Sequence, residues 1–463
     1  MGGSRREEDA LGGVSVPEEA YYGAQTQRAV ENFPVSGLRF PRSFIAALGL
    51  IKRCAAVVNR DLELLDPALA DVIITAAGEV ENGRLDDQFA IDVFQTGSGT
   101  STNMNANEVI AGRANEIISG KRGGKNPVHP NDHVNRGQSS NDVIPTVIHV
   151  AALVSMTRNL LPALRGLQES LARKAEEFRD VLKIGRTHLQ DAVPISLGQE
   201  FGGYARQVEL GVKRIEAVQD SLAELALGGT AVGTGLNTHP EFAARVIALV
   251  SKETGCAFRE AEDHFEAQAA QDAAVEASGA LKTVAVSLVK IANDIRWLAS
   301  GPRCGLGEIE IPSLQPGSSI MPGKVNPVIP EVVIQVAAQV VGNDVTITFG
   351  GQGGYFELNT MLPVIAYNLL QSIDLLSAAA SLLTSKCVDG IVANQEKCAS
   401  NIERSLAMST YLAPVIGYDM ASTVSKEAHR TGRTVREVAL DNGVLSAEEI
   451  ERAFDIRVRR EED

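Results

Sequence analysis

At 463 residues the chain is too long for one ordinary core, so two or three domains, or one very elongated helical unit, are expected. Hydrophobic residues make up 44 % of it and there is one Trp, with Ala, Leu and Val prominent, a composition that suits helices better than an aromatic-rich sandwich and points to a mostly α fold. A formal net charge of -15 argues against a nucleic-acid groove or an anionic membrane surface as partner, because both demand a positive face, and leaves a small anionic substrate held in a locally positive pocket.

In chain order, the opening MGGSRREEDALGG is charged and lacks the apolar stretch of a secretory signal. No later run approaches the ~20 uninterrupted apolar residues of a bilayer span, so a soluble, cytoplasmic protein is expected. Residues 1–138 mix short helical stretches with Gly, Pro and Asn clusters, as between Ser119 and Pro130, and read as a loop-rich helical domain. From Pro145 the pattern changes. Leu160, Leu164, Leu167, Leu171, Ala175 and Phe178 step by three or four, as on one face of a long helix, and Gly185 and Pro194 frame a loop after it. A second stripe runs through Tyr204, Val208, Ile215, Val218, Leu222 and Leu225 until Gly228–Gly235 breaks it. The third, Leu281, Val284, Leu288, Ile291, Ile295 and Leu298, has extra apolar residues at Val286 and Val289, as expected of a helix contacted on several sides. Further helices follow from Glu331 to Thr348 and through Ile365, Leu369, Ile373, Leu376, Ala380 and Leu383. These five long helices place a bundle domain at 139–394, and shorter helices with a charged tail make 395–463 a small C-terminal domain. Helices apolar on more than one face imply a homo-oligomer that buries the excess.

Five cysteines, Cys54, Cys256, Cys304, Cys387 and Cys398, show no C-x-x-C pair and read as free thiols of a reducing compartment. Four polar segments interrupt the helices: Thr96–Asn107, His129–Asp142, Gly185–Gln190 and Gly317–Asn326. Their Ser, Thr, Asn and Gly content supplies neutral donors and exposed amides, an inventory suited to a carboxylate. Gly317–Lys324 is not a phosphate loop, because five residues separate Gly317 from Gly323 and Val325 stands where Ser or Thr would bind magnesium. Gly97-Ser98-Gly99 and Gly233-Thr234-Gly235 lack the third glycine of a dinucleotide site.

Gly317-Ser318-Ser319-Ile320-Met321-Pro322-Gly323-Lys324-Val325-Asn326 matches G-S-S-x-M-P-x-K-x-N throughout, and on it the chain resembles the fumarase and aspartase superfamily from about Val16 onward. The resemblance implies a homotetramer whose long helices form a twenty-helix core, with each active site built from three subunits. It implies reversible anti addition of water to fumarate, giving (S)-malate through an aci-carboxylate, with no cofactor and no metal. By the same resemblance Ser318 is the proton acceptor, a role that needs its hydroxyl pushed toward alkoxide by Lys324 and backbone N–H groups. His188 exchanges the proton of the added water, and Glu331 orients it. Ser98, Gly99, Thr100, Ser139, Ser140, Asn141, Thr187, Ser319, Lys324, Val325 and Asn326 form the substrate shell, where Ser139 and Ser140 also suit helix N-capping. His129, Pro130, Asn131 and Asp132 match a second anion site near the entrance. His129 and His133 have metal-binding spacing on a helix, but Pro130 and Asn131 argue for a loop and against a metal.

Within the superfamily, Thr96–Thr100, Ser139–Asp142, Gly228–Pro240, Gly323 and Phe356–Asn359 look like the class II fumarase branch. Val328–Val333 and the segment from Cys387 to Leu445 look closer to aspartate ammonia-lyases, which expel ammonia in place of water and remain the alternative. Retention of Ser318, Lys324, Asn326, His188 and Thr187 together speaks against a lens-type structural relative. The larger substrates of argininosuccinate and adenylosuccinate lyases need other first-loop contacts.

Overall fold

The computed structural model describes residues 3–456. Of the described residues 62 % are helical, and the strands among them pair only two at a time, in five two-stranded sheets. No such sheet can organise a core, so the mostly α expectation holds.

All five long apolar runs are helices: Leu161–Glu177, Leu197–Ala217, Asp272–Leu298, Val328–Gly351 and Leu362–Lys386. The first continues an earlier helix, Ser140–Ser155, through a π turn at Met156–Leu160. That earlier helix starts five residues before Pro145 because Ser139 caps it in a capping box with Asp142. In Asp272–Leu298 the stripe Leu281, Val284, Leu288, Ile291, Ile295 and Leu298 is buried, whereas Val286 faces out.

Three local expectations are corrected. The second stripe does not stay helical to Leu225: the helix ends at Ala217, a short turn spans Gln219–Leu222, and Leu225 lies in a parallel bridge, Glu224–Leu225 with Arg259–Glu260. Leu222 and Leu225 are fully buried, so the spacing reported burial, while Arg259, paired with Asp220 and Glu224, holds the chain's change of direction. The segment expected as a loop around Gly185 and Pro194 is an antiparallel hairpin, Leu182–Thr187 with Gln190–Ser196. Residues 1–138 contain long helices, Arg42–Asp61 and Thr100–Ser119, each of 20 residues, besides a hairpin of Ser4–Asp9 with Gly12–Pro17 near the N-terminus.

The chain divides into two compact units. The first comprises the described residues of Met1–Pro162 with Val212–Ala285 and Val336–Ser377, and the second Ala163–Gly211, Val286–Gln335 and the described residues of Ala378–Asp463. In the second, Gln395–Arg404, Ser409–Ile416, Tyr418–Thr431, Val435–Asp441 and Ala447–Ala453 pack round their own apolar cluster, with Leu412, Val424, Val438 and Ile450 at its centre. The charged tail expected at the C-terminus lies, for 457–463, outside the described residues.

By length and mean hydropathy alone, three helical stretches are sufficient to cross a membrane: Ser140–Glu177, Val328–Gly351 and Leu362–Gly390. Counting uninterrupted apolar residues hides this, because polar residues break each run without lowering its mean far, as Gln335, Asn343 and Asp344 do in Val328–Gly351.

Candidate active site

In the first unit the polar segments converge. Gly97 lies against the backbone of Thr360, so close that a Cβ there would meet the Thr360 carbonyl oxygen at 1.9 Å, and the Gly97 carbonyl accepts from the Leu362 amide at 3.1 Å. Gly99 adopts φ +70°, a left-handed conformation that favours glycine, and so starts the Thr100–Ser119 helix. The Ser98 and Thr100 hydroxyls are 2.7 Å apart at that start. One turn on, Asn103 Nδ2 donates to Ser140 Oγ at 3.0 Å, which brings the first loop against the second. Ser139 Oγ caps its helix by accepting from the Asn141 amide at 3.2 Å, and Asn141 Nδ2 donates to the Ala231 carbonyl at 2.8 Å.

His129 caps the single turn Pro130–Val134, its Nδ1 accepting from the Asn131 and Asp132 amides at 3.2 Å each. His133 Nδ1 accepts from the His129 amide at 2.9 Å. That turn is π-helical, not the open loop that Pro130 and Asn131 suggest: its Pro has no N–H to leave unpaired at the first position. Among the described residues no group of three His, Cys, Asp or Glu side chains is arranged to hold a metal ion.

Beneath these loops lies a buried charge. Lys52, fully enclosed, donates to Asn135 Oδ1 at 3.0 Å and to Gln138 Oε1 at 2.9 Å. Burial lowers its ammonium to about 7, against the opposing pull of Asp142. Asp142 is itself fully buried and accepts from the amides of Ser139 (2.9 Å), Gly228 (3.1 Å) and Thr230 (2.9 Å). Burial still raises its carboxyl above the ordinary range.

In the second unit Thr187 and His188 are exposed at the tip of the hairpin, where His188 and Leu189 form a two-residue turn with φ of 57° and 59°. Both central residues at positive φ match the strand twist of a tight hairpin, at some cost for side chains other than Gly or Asn. The hairpin's first strand is fastened by Glu308, fully buried, which accepts from Arg186 Nη1 and Nη2 at 2.9 and 2.7 Å and from Asn401 Nδ2 at 3.0 Å, with Lys183 Nζ at 3.5 Å. Burial pushes the Glu308 carboxyl up, but Arg186, Lys183 and Asn401 outweigh it and hold it below the usual range.

The segment 317–326 closes on itself. The Gly317 amide donates to the Lys324 carbonyl at 2.7 Å, and Asn326 Nδ2 donates to the Gly317 carbonyl at 2.6 Å. At position 317 only glycine fits, since a Cβ would lie 2.8 Å from both the Lys324 oxygen and the Asn326 nitrogen. Within this ring Ser318 Oγ accepts from the Ile320 and Met321 amides at 3.2 and 2.8 Å. The crown of the loop, Ser319 to Val325, is exposed, Ile320 by 84 %. Glu331 follows in the first turn of Val328–Gly351. Neither His188 nor Glu331 makes a side-chain hydrogen bond among the described residues.

The structure thus brings Ser98–Thr100 and Ser139–Asn141 together through Asn103, sets the His129–Asp132 turn against the same helix through Asn131 Nδ2 and Met104 Sδ at 3.8 Å, and orders 317–326 internally. Lys52, Asn103, Asn135 and Glu308 were not anticipated. Their signal was slight: a lysine inside the apolar Leu48–Ala56 run, and asparagines four apart at Asn103 and Asn107. Cys54, Cys387 and Cys398 are buried, and burial raises their thiols to about 12, 12 and 11, so they serve as packing groups.

A family model described as lyase matches residues 12–342, and one described as fumarase C C-terminus matches 408–458. Fumarate hydratase class II of Nitrosomonas europaea is 55 % identical over 447 residues, covering 96 % of this chain and 97 % of that one. The protein of the same name from Halobacterium salinarum is 59 % identical, covering 96 % and 94 %. The crystal structure of recombinant class II fumarase from Schistosoma mansoni superposes with a TM-score of 0.93 at 40 % identity, covering 98 % of this chain and 100 % of that one. Agreement over nearly the full length, together with the closed Ser318 loop, leads to the conclusion that this chain belongs to the lyase family, in its class II fumarate hydratase branch.

Proposed function

We propose that the chain is a hydro-lyase that adds water reversibly to fumarate in the anti sense, giving (S)-malate through an aci-carboxylate. The observation that carries this reading is the pair of amides, Ile320 and Met321, aimed at Ser318 Oγ. Two preorganised N–H donors stabilise an alkoxide, the form in which a serine can remove a weakly acidic C–H proton.

In the dehydration direction Ser318 Oγ takes the proton from C3 of malate, and the electron pair of the broken C–H bond moves onto the neighbouring carboxylate. Lys324 and Asn326 meet the charge that develops there, where a well-aimed donor contributes on the order of 3 to 4 kcal/mol. The intermediate then expels hydroxide from C2, and His188, oriented by Glu331, supplies the proton that makes it water. Ser98, Gly99, Thr100, Ser139, Ser140, Asn141, Thr187, Ser319 and Val325 hold the substrate carboxylates with mostly neutral donors, and Lys324 supplies positive charge on an acidic protein. His129, Pro130, Asn131 and Asp132 form a second anion site. No metal or cofactor takes part.

Assembly is part of the proposal: a soluble, cytoplasmic homotetramer, with each active site shared among three subunits. It is supported by apolar side chains facing out of Val328–Gly351, among them Val345, 65 % exposed, and Phe349, 69 % exposed. Pairing of His188 with Glu331 then takes place between chains. Water is preferred to ammonia as the addend on the names of the relatives and on the Ser98–Thr100 and Ser139–Asn141 loops.

Ser318→Ala is expected to lower kcat by about 10²–10⁴-fold, the range for loss of a positioned base, while sedimentation shows the assembly unchanged. Near-normal turnover would remove Ser318 from the role of base.

A further inference from the structure

Lys52 is puzzling as a packing residue. An ammonium enclosed in protein loses its hydration at a cost of several kcal/mol, and an apolar side chain of equal length would fill the space without it. The lysine is explained by the atoms it faces. It has donors for two acceptors, and it meets two side-chain amides, Asn135 and Gln138, whose O and N ends are otherwise interchangeable in shape. As an ammonium it has no lone pair and can only donate, so both amides are fixed with oxygen inward.

That choice propagates. With Asn135 Oδ1 turned in, it also accepts from Asn103 Nδ2 at 3.2 Å and Asn107 Nδ2 at 3.1 Å. Both asparagines therefore present nitrogen, and both leave a buried Oδ1 without a partner among the described residues, a costly arrangement that a free amide would escape by flipping. The second hydrogen of Asn103 Nδ2 goes to Ser140 Oγ at 3.0 Å. A hydroxyl has one hydrogen and two lone pairs. Since Ser140 spends a lone pair on Asn103, and its hydrogen has no acceptor among the described residues, that hydrogen is free for a ligand. Were Asn135 to flip, Asn103 would have to offer Oδ1 at the same place, and Oδ1 would capture the Ser140 hydrogen.

We propose that Lys52 is a positioning residue that sets the polarity of the Asn135–Asn103–Ser140 chain, so that Ser140 presents a donor to the substrate carboxylate. The inference rests on the assignment of Ser140 to the substrate shell. Lys52 touches neither substrate nor the reacting atoms, and acts only through the two asparagines.

The test is a double-mutant cycle in the full-length assembly. Lys52→Met is expected to raise KM for fumarate about tenfold, as for a hydrogen bond lost equally from substrate and transition state, with kcat within about twofold. In a Ser140→Ala background, where the donor is already gone, Lys52→Met is expected to change KM by less than about twofold. A purely packing role would lower Tm and leave KM unchanged, or raise KM equally in both backgrounds, and either result overturns the proposal. If Lys52→Met does not fold, Asn103→Asp decides: with the lysine intact it places an acceptor at Ser140 and is expected to give the same KM rise, cancelled by Ser140→Ala. An unchanged KM in Asn103→Asp refutes the chain. Wild-type turnover of fumarate checks the reading on which this rests, and the ratios between variants check Lys52 separately.

Discussion

Glu308 shows what a single buried side chain does for the site without touching it. Its carboxylate is shared by Arg186, Lys183 and Asn401, so the strand that ends in Thr187 and leads into His188 is tied to the residue from which the chain runs on to Ser318. Removing it leaves the Arg186 guanidinium without its carboxylate, while Lys183 keeps only Glu200 at 3.2 Å, so Glu308→Ala is expected to cost about 3–5 kcal/mol, read by urea denaturation. A loss within error of zero would mean that solvent already screens the pair. Because the Glu308 pKa is held below its ordinary 4.5, its stabilising contribution is fully present above that value and is lost as pH falls through the lower folded value. The acid limb of wild-type stability should therefore be steeper than that of Glu308→Gln. At this scale the sequence exposed the residues of the serine loop, because ten positions stand in one contiguous pattern. Lys52 stayed hidden, since a lone lysine in an apolar helix reads as its solvated face, and its partners are 83 and 86 residues away.

At the scale of elements, the substrate loops depend on close backbone approach. Gly97→Ala places a methyl into the Thr360 carbonyl and is expected to cost about 1–3 kcal/mol of stability by overpacking and to raise KM for fumarate as Ser98 and Thr100 shift. An unchanged melting temperature and KM would show that the loop yields freely. The long helices were legible because only a helical period sustains an apolar step of three or four over several turns. The hairpin carrying His188 was not. Its strands are six and seven residues long, and its turn, His188-Leu189, has none of the Asn-Gly or Asp-Gly chemistry that announces a tight reversal. The stripe from Val218 to Leu225 misled for a different reason, since buried residues keep their spacing through a bend.

For the whole molecule, the exposed apolar residues of Val328–Gly351 become the contact surface of the proposed tetramer. Val345→Glu puts a charge where desolvation would be required, and is expected to yield smaller species by sedimentation and to abolish turnover if each site draws residues from three chains. A charged variant that remains a fully active tetramer would contradict that arrangement. Multiplicity of apolar faces was readable from the sequence, whereas the identity of what covers them was not, because periodicity gives the width of a stripe and no partner. The central claim is the addition of water, and it is tested most directly by following the double-bond absorbance of fumarate with the purified wild-type protein, with and without ammonium. Fumarate is expected to be consumed in water alone, at a rate that ammonium does not raise. Consumption only when ammonium is present, or ready release of fumarate from L-aspartate, would contradict it.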